Sequence, residues 1–127
     1  MQSLVYGTDL APQPAGPYSQ AKRRGGILAV SGQIGLDPQT GALADGFESQ
    51  ARLALSNLNA ILSEAGGTME DVVMLRVYLT CIGDFESLNR ILAELAPIAM
   101  PARTTVYVSL PPGMHVEIDA LAVVSEA

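Results

Sequence analysis

Apolar residues recur every three or four positions in two stretches of the chain. The first stretch predicts an amphipathic helix of about five turns over residues 47–65, with its apolar face formed by Phe47, Ala51, Ala54, Leu55, Leu58, Ile61, Leu62 and Ala65. Asp45 and Glu48 have capping-box spacing at its start, and two glycines, Gly66 and Gly67, provide a stop. The second stretch predicts a helix over residues 84–95 that ends before Pro97. Its buried stripe would consist of Phe85, Leu88, Leu92 and Leu95.

Short apolar and β-branched runs, bounded by glycine and proline, surround the helices. The clearest run covers residues 72–80, where alternation predicts a strand with two distinct faces. One face would carry Val73, Leu75, Val77 and Leu79, and the other Met74, Arg76, Tyr78 and Thr80. Further strands are predicted over residues 4–6, 18–23, 27–31, 104–110 and 116–124.

These elements predict one α+β domain over residues 1–127, with a mixed sheet of about six strands and both helices on one sheet face. The opposite face would expose apolar side chains, among them Met74, Tyr78 and, according to the orientation of the strand, Val106 or Tyr107. Soluble proteins rarely leave a large apolar patch to solvent. We therefore expect a closed homo-oligomer in which sheets pack against sheets.

Composition and charge exclude several classes of protein. Hydrophobic residues make up 49% of the 127 positions and charged residues 16%, which is typical of a globular domain. A formal net charge of −6 disfavours nucleic acid as a partner, and the basic cluster Lys22-Arg23-Arg24 is typical of a solvated hairpin tip. No apolar run approaches a membrane span and no signal peptide is recognisable, so we expect no membrane partner. The single cysteine, Cys81, fits a reducing cytoplasm.

Metal and Schiff-base chemistry are also disfavoured. The only histidine, His115, has no cysteine or histidine beside it, so we expect no metal site. The only lysine, Lys22, stands among charged residues rather than in an apolar pocket. We expect no cofactor.

The strongest candidate for chemistry is Arg103, at the start of a β-branched strand, with Glu117 on the strand that follows. An arginine keeps its charge and presents a fork of donors that matches a carboxylate. A guanidinium on a rigid strand could therefore clamp a small anionic ligand. The alternative is a structural ion pair between Arg103 and Glu117.

Several motifs occur in an order that covers the chain from about residue 3 to 124. They are Gly16-Pro17-Tyr18-Ser19-Gln20, Val30-Ser31-Gly32-Gln33-Ile34, Asp37-Pro38-x-Thr40-Gly41, Gln50-Ala51, Asp84-Phe85-x-x-x-Asn89, Pro101-Ala102-Arg103 and Val116-Glu117-Ile118-Asp119-Ala120. The ordered set closely resembles the RidA family of reactive-intermediate deaminases, also called the YjgF or L-PSP endoribonuclease-like family. The resemblance implies a chorismate-mutase-like α+β fold, assembled as a homotrimer with three clefts between subunits. It also implies hydrolysis of 2-aminoacrylate, 2-aminocrotonate and related enamines or imines to a 2-keto acid and ammonia.

The resemblance also implies roles for individual residues. Arg103 would bind the substrate carboxylate, and Glu117 would lie near the attacking water. The substrate-binding cleft would be lined by Tyr18, Ser31, Gly32, Asn89, Arg103 and Thr105. Thr105 stands where many active members have cysteine, so its backbone groups would hold substrate or water and no thiol nucleophile is required.

Two further departures from the family pattern concern the shape of the cleft. Asp119 replaces a second glutamate, and the stretch between Asn89 and Arg103 is about three residues short, which leaves the size of the substrate open.

Three functions remain open on the sequence. The first is enamine or imine hydrolysis, and the second is non-catalytic binding of a small carboxylate, such as a 2-keto acid or fatty acid, in the same cleft. The third is RNA cleavage or translation inhibition, which the acidic balance disfavours. Retention of Arg103 favours the first, although a carboxylate clamp serves a binding protein equally well.

Overall fold

The computed structural model describes residues 3–95 and 99–125. The six strands are β1 (Ser3–Tyr6), β2 (Ala21–Arg24), β3 (Ile27–Ile34), β4 (Val72–Leu79), β5 (Ala102–Tyr107) and β6 (Val116–Val123), and the two α-helices are α1 (Phe47–Glu64) and α2 (Phe85–Leu95). The strands form one sheet in the order β1-β2-β3-β6-β4-β5. All neighbours are antiparallel except β4 and β5, which α2 connects as a parallel pair. The predicted α+β architecture is confirmed, whereas the predicted helix end at Pro97 lies outside the described residues.

The start of α1 differs from the prediction. Its N-cap is Gly46, which has a φ of 84° and no side chain to accept a capping hydrogen bond, so the predicted Asp45–Glu48 capping box is wrong. A positive φ is the conformation that glycine adopts without steric cost, and it sets the angle at which the chain enters the helix. Glu48 instead lies 3.0 Å from Arg90, in an ion pair between the two helices.

The predicted alternation of β4 fails at one position. Val72 pairs with Ala122 and Met74 pairs with Leu121, so Val73 is an extra residue between two consecutive pairs. This bulge returns Val72 to the core and leaves Val73 exposed, whereas Val73 was predicted to share the face of Leu75.

The core lies between one face of the sheet and the two helices. Its largest fully buried side chains come from α1, α2 and the central strands: Leu28, Leu55, Leu58, Ile61, Leu62, Leu75, Val77, Leu79, Leu88, Ile91, Val116 and Ile118. Each such side chain contributes about 1.5–3 kcal/mol when it leaves water. The sheet is thereby a rigid platform for any side chain that its strands carry. No helix in the described residues is long and apolar enough to cross a membrane.

The opposite face of the sheet carries no helix and exposes an apolar row. Val5, Ile27, Leu121 and Val123 are 65%, 57%, 41% and 53% exposed, and the strand pairing places them on the face opposite the core. We call this surface the open face. Its composition agrees with the predicted apolar sheet surface.

The basic hairpin between β2 and β3 is only partly solvated. Lys22 and Arg24 are exposed, as predicted. Arg23 is buried, and its guanidinium donates hydrogen bonds to the carbonyl oxygens of Gly25 and Ser125 at 2.8 and 2.9 Å. One of the three charges therefore stabilises the fold rather than facing a partner.

Candidate functional site

Arg103 lies at the start of β5, the edge strand of the sheet, and its side chain points to the helix layer. It pairs with the core residue Leu75 of β4, and directly paired residues share a sheet face. Its Nη2 atom donates a 2.7 Å hydrogen bond to Oδ1 of Asn89 on α2. The centre of the guanidinium also lies 5.6 Å from the centroid of the Phe85 ring, which is cation–π distance. Thr105, two residues on, points to the same layer, and we call these four residues the arginine cluster.

Within the part of the chain that the structure describes, most donors of Arg103 remain free for a ligand. A guanidinium has five N–H donors, and one of them serves Asn89. Among the described residues, no carboxylate lies within ion-pair distance of Arg103, so the predicted alternative of an ion pair with Glu117 is wrong within one chain. The aromatic ring and the amide hold the guanidinium in place without neutralising it, and such an arrangement suits a small carboxylate.

Glu117 lies on the opposite face of the sheet. It stands on β6 between two fully buried residues, Val116 and Ile118, and it pairs with Tyr78 of β4. Its half-buried carboxylate packs against Gly32 so closely that a Cβ at position 32 would collide with it. Gly32 therefore provides room for the carboxylate rather than a side-chain contact to a ligand.

Tyr18 and Ser31 lie beside Glu117 and Gly32, and we call these four residues the glutamate cluster. The Tyr18 side chain is 53% exposed, and its hydroxyl accepts a 3.1 Å hydrogen bond from the Ala15 backbone N–H. The Ser31 hydroxyl donates a 2.6 Å hydrogen bond to the Ser19 carbonyl oxygen. Tyr18 and Gly32 line two cavities, one of about 250 Å³ that Glu117 also lines and one of about 450 Å³ that Ser31 also lines.

The electrostatics of this face depend on a second carboxylate. Asp119 accepts hydrogen bonds of 2.7 Å from both Nε of Arg76 and the hydroxyl of Tyr78. The hydrogen bond to Asp119, followed by burial, raises the pKa of Tyr78. Glu117 has no such partner among the described residues, and burial, followed by the negative charge of Asp119, raises the pKa of the Glu117 carboxyl above its usual range. A carboxylate with a raised pKa is a stronger base when it is ionised.

The structure therefore brings the candidate residues together in two groups instead of one. Arg103, Asn89 and Thr105 lie at the edge strand on the helix side, whereas the glutamate cluster lies on the open face. Arg103 and Glu117 lie on opposite faces of the sheet, so within one chain the two side chains do not face each other. No group of three or more His, Cys, Asp or Glu side chains in residues 3–95 and 99–125 could hold a metal ion.

The chain is similar to known proteins over nearly its whole length. The family model described as Endoribonuclease L-PSP matches residues 8–124. The chain belongs to this family, also called the RidA family. A RutC family protein of Pyrococcus horikoshii is 42% identical over 96% of this chain and 98% of its own length. A mouse 2-iminobutanoate/2-iminopropanoate deaminase is 41% identical over 94% of this chain and 90% of its own.

Solved RidA-family structures share the fold. RidA from an Antarctic Psychrobacter superimposes with a TM-score of 0.93 at 40% identity, over 95% of this chain and 99% of that one. Escherichia coli TdcF with bound serine superimposes with a TM-score of 0.88 at 36% identity, over 96% of this chain and 99% of that one.

Three contacts of these clusters were not predicted from the sequence. Phe85 was assigned to the buried stripe of its helix, but its side chain is 36% exposed and supports Arg103. Its position four residues before Asn89, on the same helix face, was an available signal. The bonds of Arg76 and Tyr78 to Asp119 had no such signal, because they depend on the register between two strands distant in the sequence.

Proposed function

We propose that this protein hydrolyses the enamines and imines of small 2-amino acids, such as 2-aminoacrylate and 2-aminocrotonate, to 2-keto acids and ammonia. The observation that carries the proposal is Arg103, a guanidinium with free donors, fixed on a rigid strand by Asn89 and Phe85. Such a group binds a carboxylate in two-pronged geometry and stabilises negative charge near the reacting carbon. Relatives named for this activity, at 37% and 41% identity, support the proposal.

The proposal includes assembly as a homotrimer with clefts between subunits. Two observations support it: the apolar open face needs a cover, and Arg103 and Glu117 point to opposite sides of their sheet. A second copy could bring its glutamate cluster to the arginine cluster of the first. In a closed ring of three this contact is repeated at every interface, so each glutamate cluster and each arginine cluster is covered by a neighbouring subunit. The clefts would then contain residues of two subunits each.

In such a cleft the reaction needs no covalent intermediate. An enamine first takes a proton on its terminal carbon and becomes the imine. Arg103 holds the substrate carboxylate, and the ionised Glu117 of the adjacent subunit orients a water molecule and accepts its proton as the oxygen bonds to the imine carbon. The nitrogen of the hydroxyl adduct gains a proton, the hydroxyl oxygen gives up its remaining proton as the carbon–oxygen double bond forms, and the carbon–nitrogen bond breaks. Ammonia leaves, and the 2-keto acid is the other product.

The role of Glu117 predicts a pH dependence. Activity should fall as the pH drops through the pKa of Glu117, and this pKa lies above the ordinary carboxyl value because of burial and Asp119. Asp119→Asn removes the adjacent negative charge and should move the acidic limb of kcat/KM to lower pH. Glu117→Gln should lower kcat and abolish the acidic limb of the pH profile of kcat/KM. A Gln variant that raises KM alone, with an unchanged pH profile, would show that Glu117 only helps to orient Arg103.

Thr105 tests whether a side-chain nucleophile is involved. Its Oγ1 atom is buried and has no hydrogen-bond partner among residues 3–95 and 99–125, so Thr105→Val exchanges an unsatisfied hydroxyl for a methyl group. The free energy of unfolding should stay constant or rise by about 1 kcal/mol, and kcat should fall by less than about tenfold. Chemical denaturation and steady-state kinetics measure the two effects. A folded but inactive variant would mean that the hydroxyl takes part in the chemistry.

Turnover separates hydrolysis from simple binding. The imine of alanine, generated by an amino-acid oxidase, can be trapped with semicarbazide in the presence and absence of the protein. An enzyme lowers the trapped amount at about one protomer per hundred imine molecules, whereas a binding protein needs equimolar amounts. Protection only at equimolar protein would replace the proposal by the binding function. RNA cleavage is not proposed, because the net charge of −6 opposes approach to a polyanion.

A further inference from the structure

A cavity of about 340 Å³ opens beside Arg103, between α1, α2 and the start of β5. It lies on the helix side of the sheet and is distinct from the cavities at the glutamate cluster. Its lining consists of Leu55, Asn59, Met69, Leu75, Leu92, Leu95, Met100, Pro101 and Arg103. This volume is at the small end of the range of about 300–1,000 Å³ that is usual for small-molecule sites.

The inner wall of the cavity is formed by apolar side chains. Leu55, Leu75 and Leu92 are only 2–3% exposed, so the inner wall is continuous with the core. Leu95 and Met100 are 47% and 52% exposed and form the rim. A ligand that enters would exchange water for aliphatic contacts on several sides.

Among the described residues that line the cavity, Arg103 alone is charged. The cavity thus combines one cationic group, with free donors, and a pocket for hydrocarbon. That combination is complementary to a molecule with one carboxylate and an aliphatic tail a few carbons long.

We propose that this cavity receives the side chain of a branched or unbranched aliphatic 2-imino acid of about six carbons while Arg103 holds its carboxylate. The inference rests on the proposed function and specifies its substrate class. The chemistry is unchanged: water adds to the imine carbon and ammonia leaves. Each methylene buried contributes about fourfold in affinity, so the three extra carbons of a leucine-derived imine over an alanine-derived one give up to about sixtyfold.

The test compares two imines produced from leucine and alanine by the same oxidase, with hydrolysis measured by competition with semicarbazide. The quantity of interest is the ratio of kcat/KM for the leucine-derived imine to that for the alanine-derived imine. Leu95→Trp and Met100→Trp place an indole at the rim, where both residues are exposed, so the core is left intact. The matched control is Leu53→Trp on α1, a half-buried leucine outside the cavity lining.

We expect a wild-type ratio above one, a fall of about tenfold or more in both rim variants, and no change of ratio in the control. An unchanged ratio in both rim variants would overturn the inference. If the wild-type protein accelerates neither imine, the proposed hydrolysis fails and the cavity is judged by binding alone. Calorimetry should then show tighter binding of 4-methyl-2-oxopentanoate than of pyruvate, with the preference lost in Leu95→Trp. Equal affinity for the two keto acids would reject the cavity as a side-chain site.

Discussion

Replacing Arg103 by alanine should abolish enamine and imine hydrolysis while the protein still folds. Loss of one partner from a hydrogen-bonded charge pair costs about 2–5 kcal/mol, which is about 30-fold to 5,000-fold in kcat/KM. The fold should survive because Arg103 is half-buried at an edge strand and, among the described residues, its side chain is hydrogen-bonded only to the exposed Asn89. Keto-acid release, with circular dichroism to verify folding, measures the effect.

Two further variants make the result specific. Arg103→Lys should recover little, because a point charge lacks the planar fork and stacks poorly on Phe85. Arg90→Ala removes an exposed arginine of α2 that pairs with Glu48 at 3.0 Å, so it is the matched control and should keep wild-type kinetics. Near-wild-type hydrolysis by the Arg103→Ala variant would show that Arg103 does not bind the substrate carboxylate.

Mixing two inactive variants should restore activity if each cleft uses two subunits. Arg103→Ala damages the arginine cluster and Glu117→Gln damages the glutamate cluster. In a ring of three, every mixed trimer contains one cleft of three with both clusters intact, so the purified mixed trimers should have about a third of wild-type activity. The two proteins, with different tags, are co-expressed and assayed after purification on both tags in turn.

The control mixture pairs Arg103→Ala with Asn89→Ala. Both changes lie in the arginine cluster, so no cleft of a mixed trimer is intact and the mixture should show only the mean activity of its parents. Equal behaviour of the two mixtures, or a monomer by light scattering at micromolar concentration, would contradict clefts between subunits.

The sequence predicted the elements well because burial follows a local period. The spacing of Leu58, Ile61 and Leu62 specifies one face of α1 whatever the rest of the chain does. Local exceptions were not predictable from the same pattern. The bulge at Val73 arises from the pairing of β4 with β6, and the N-cap at Gly46 depends on how the preceding loop approaches the helix.

The site was predicted as a set of residues but not as an arrangement. Asn89 and Arg103 meet because α2 leads into β5, a short-range connection that the sequence order suggests. The separation of Arg103 from Glu117 depends on the parity of β5 relative to β6, which are joined only through β4. Alternation gives each strand two faces but does not say which of them meets the helices when both are partly apolar, as around Val106 and Tyr107.

The most direct test of the central claim is the release of 2-oxobutanoate from a threonine dehydratase reaction, followed in real time with and without this protein. The dehydratase produces 2-aminocrotonate, whose spontaneous hydrolysis delays the keto acid. We expect substoichiometric wild-type protein to shorten that delay, and the Arg103→Ala protein to leave it unchanged. A delay that is identical with and without the wild-type protein would contradict the proposed activity.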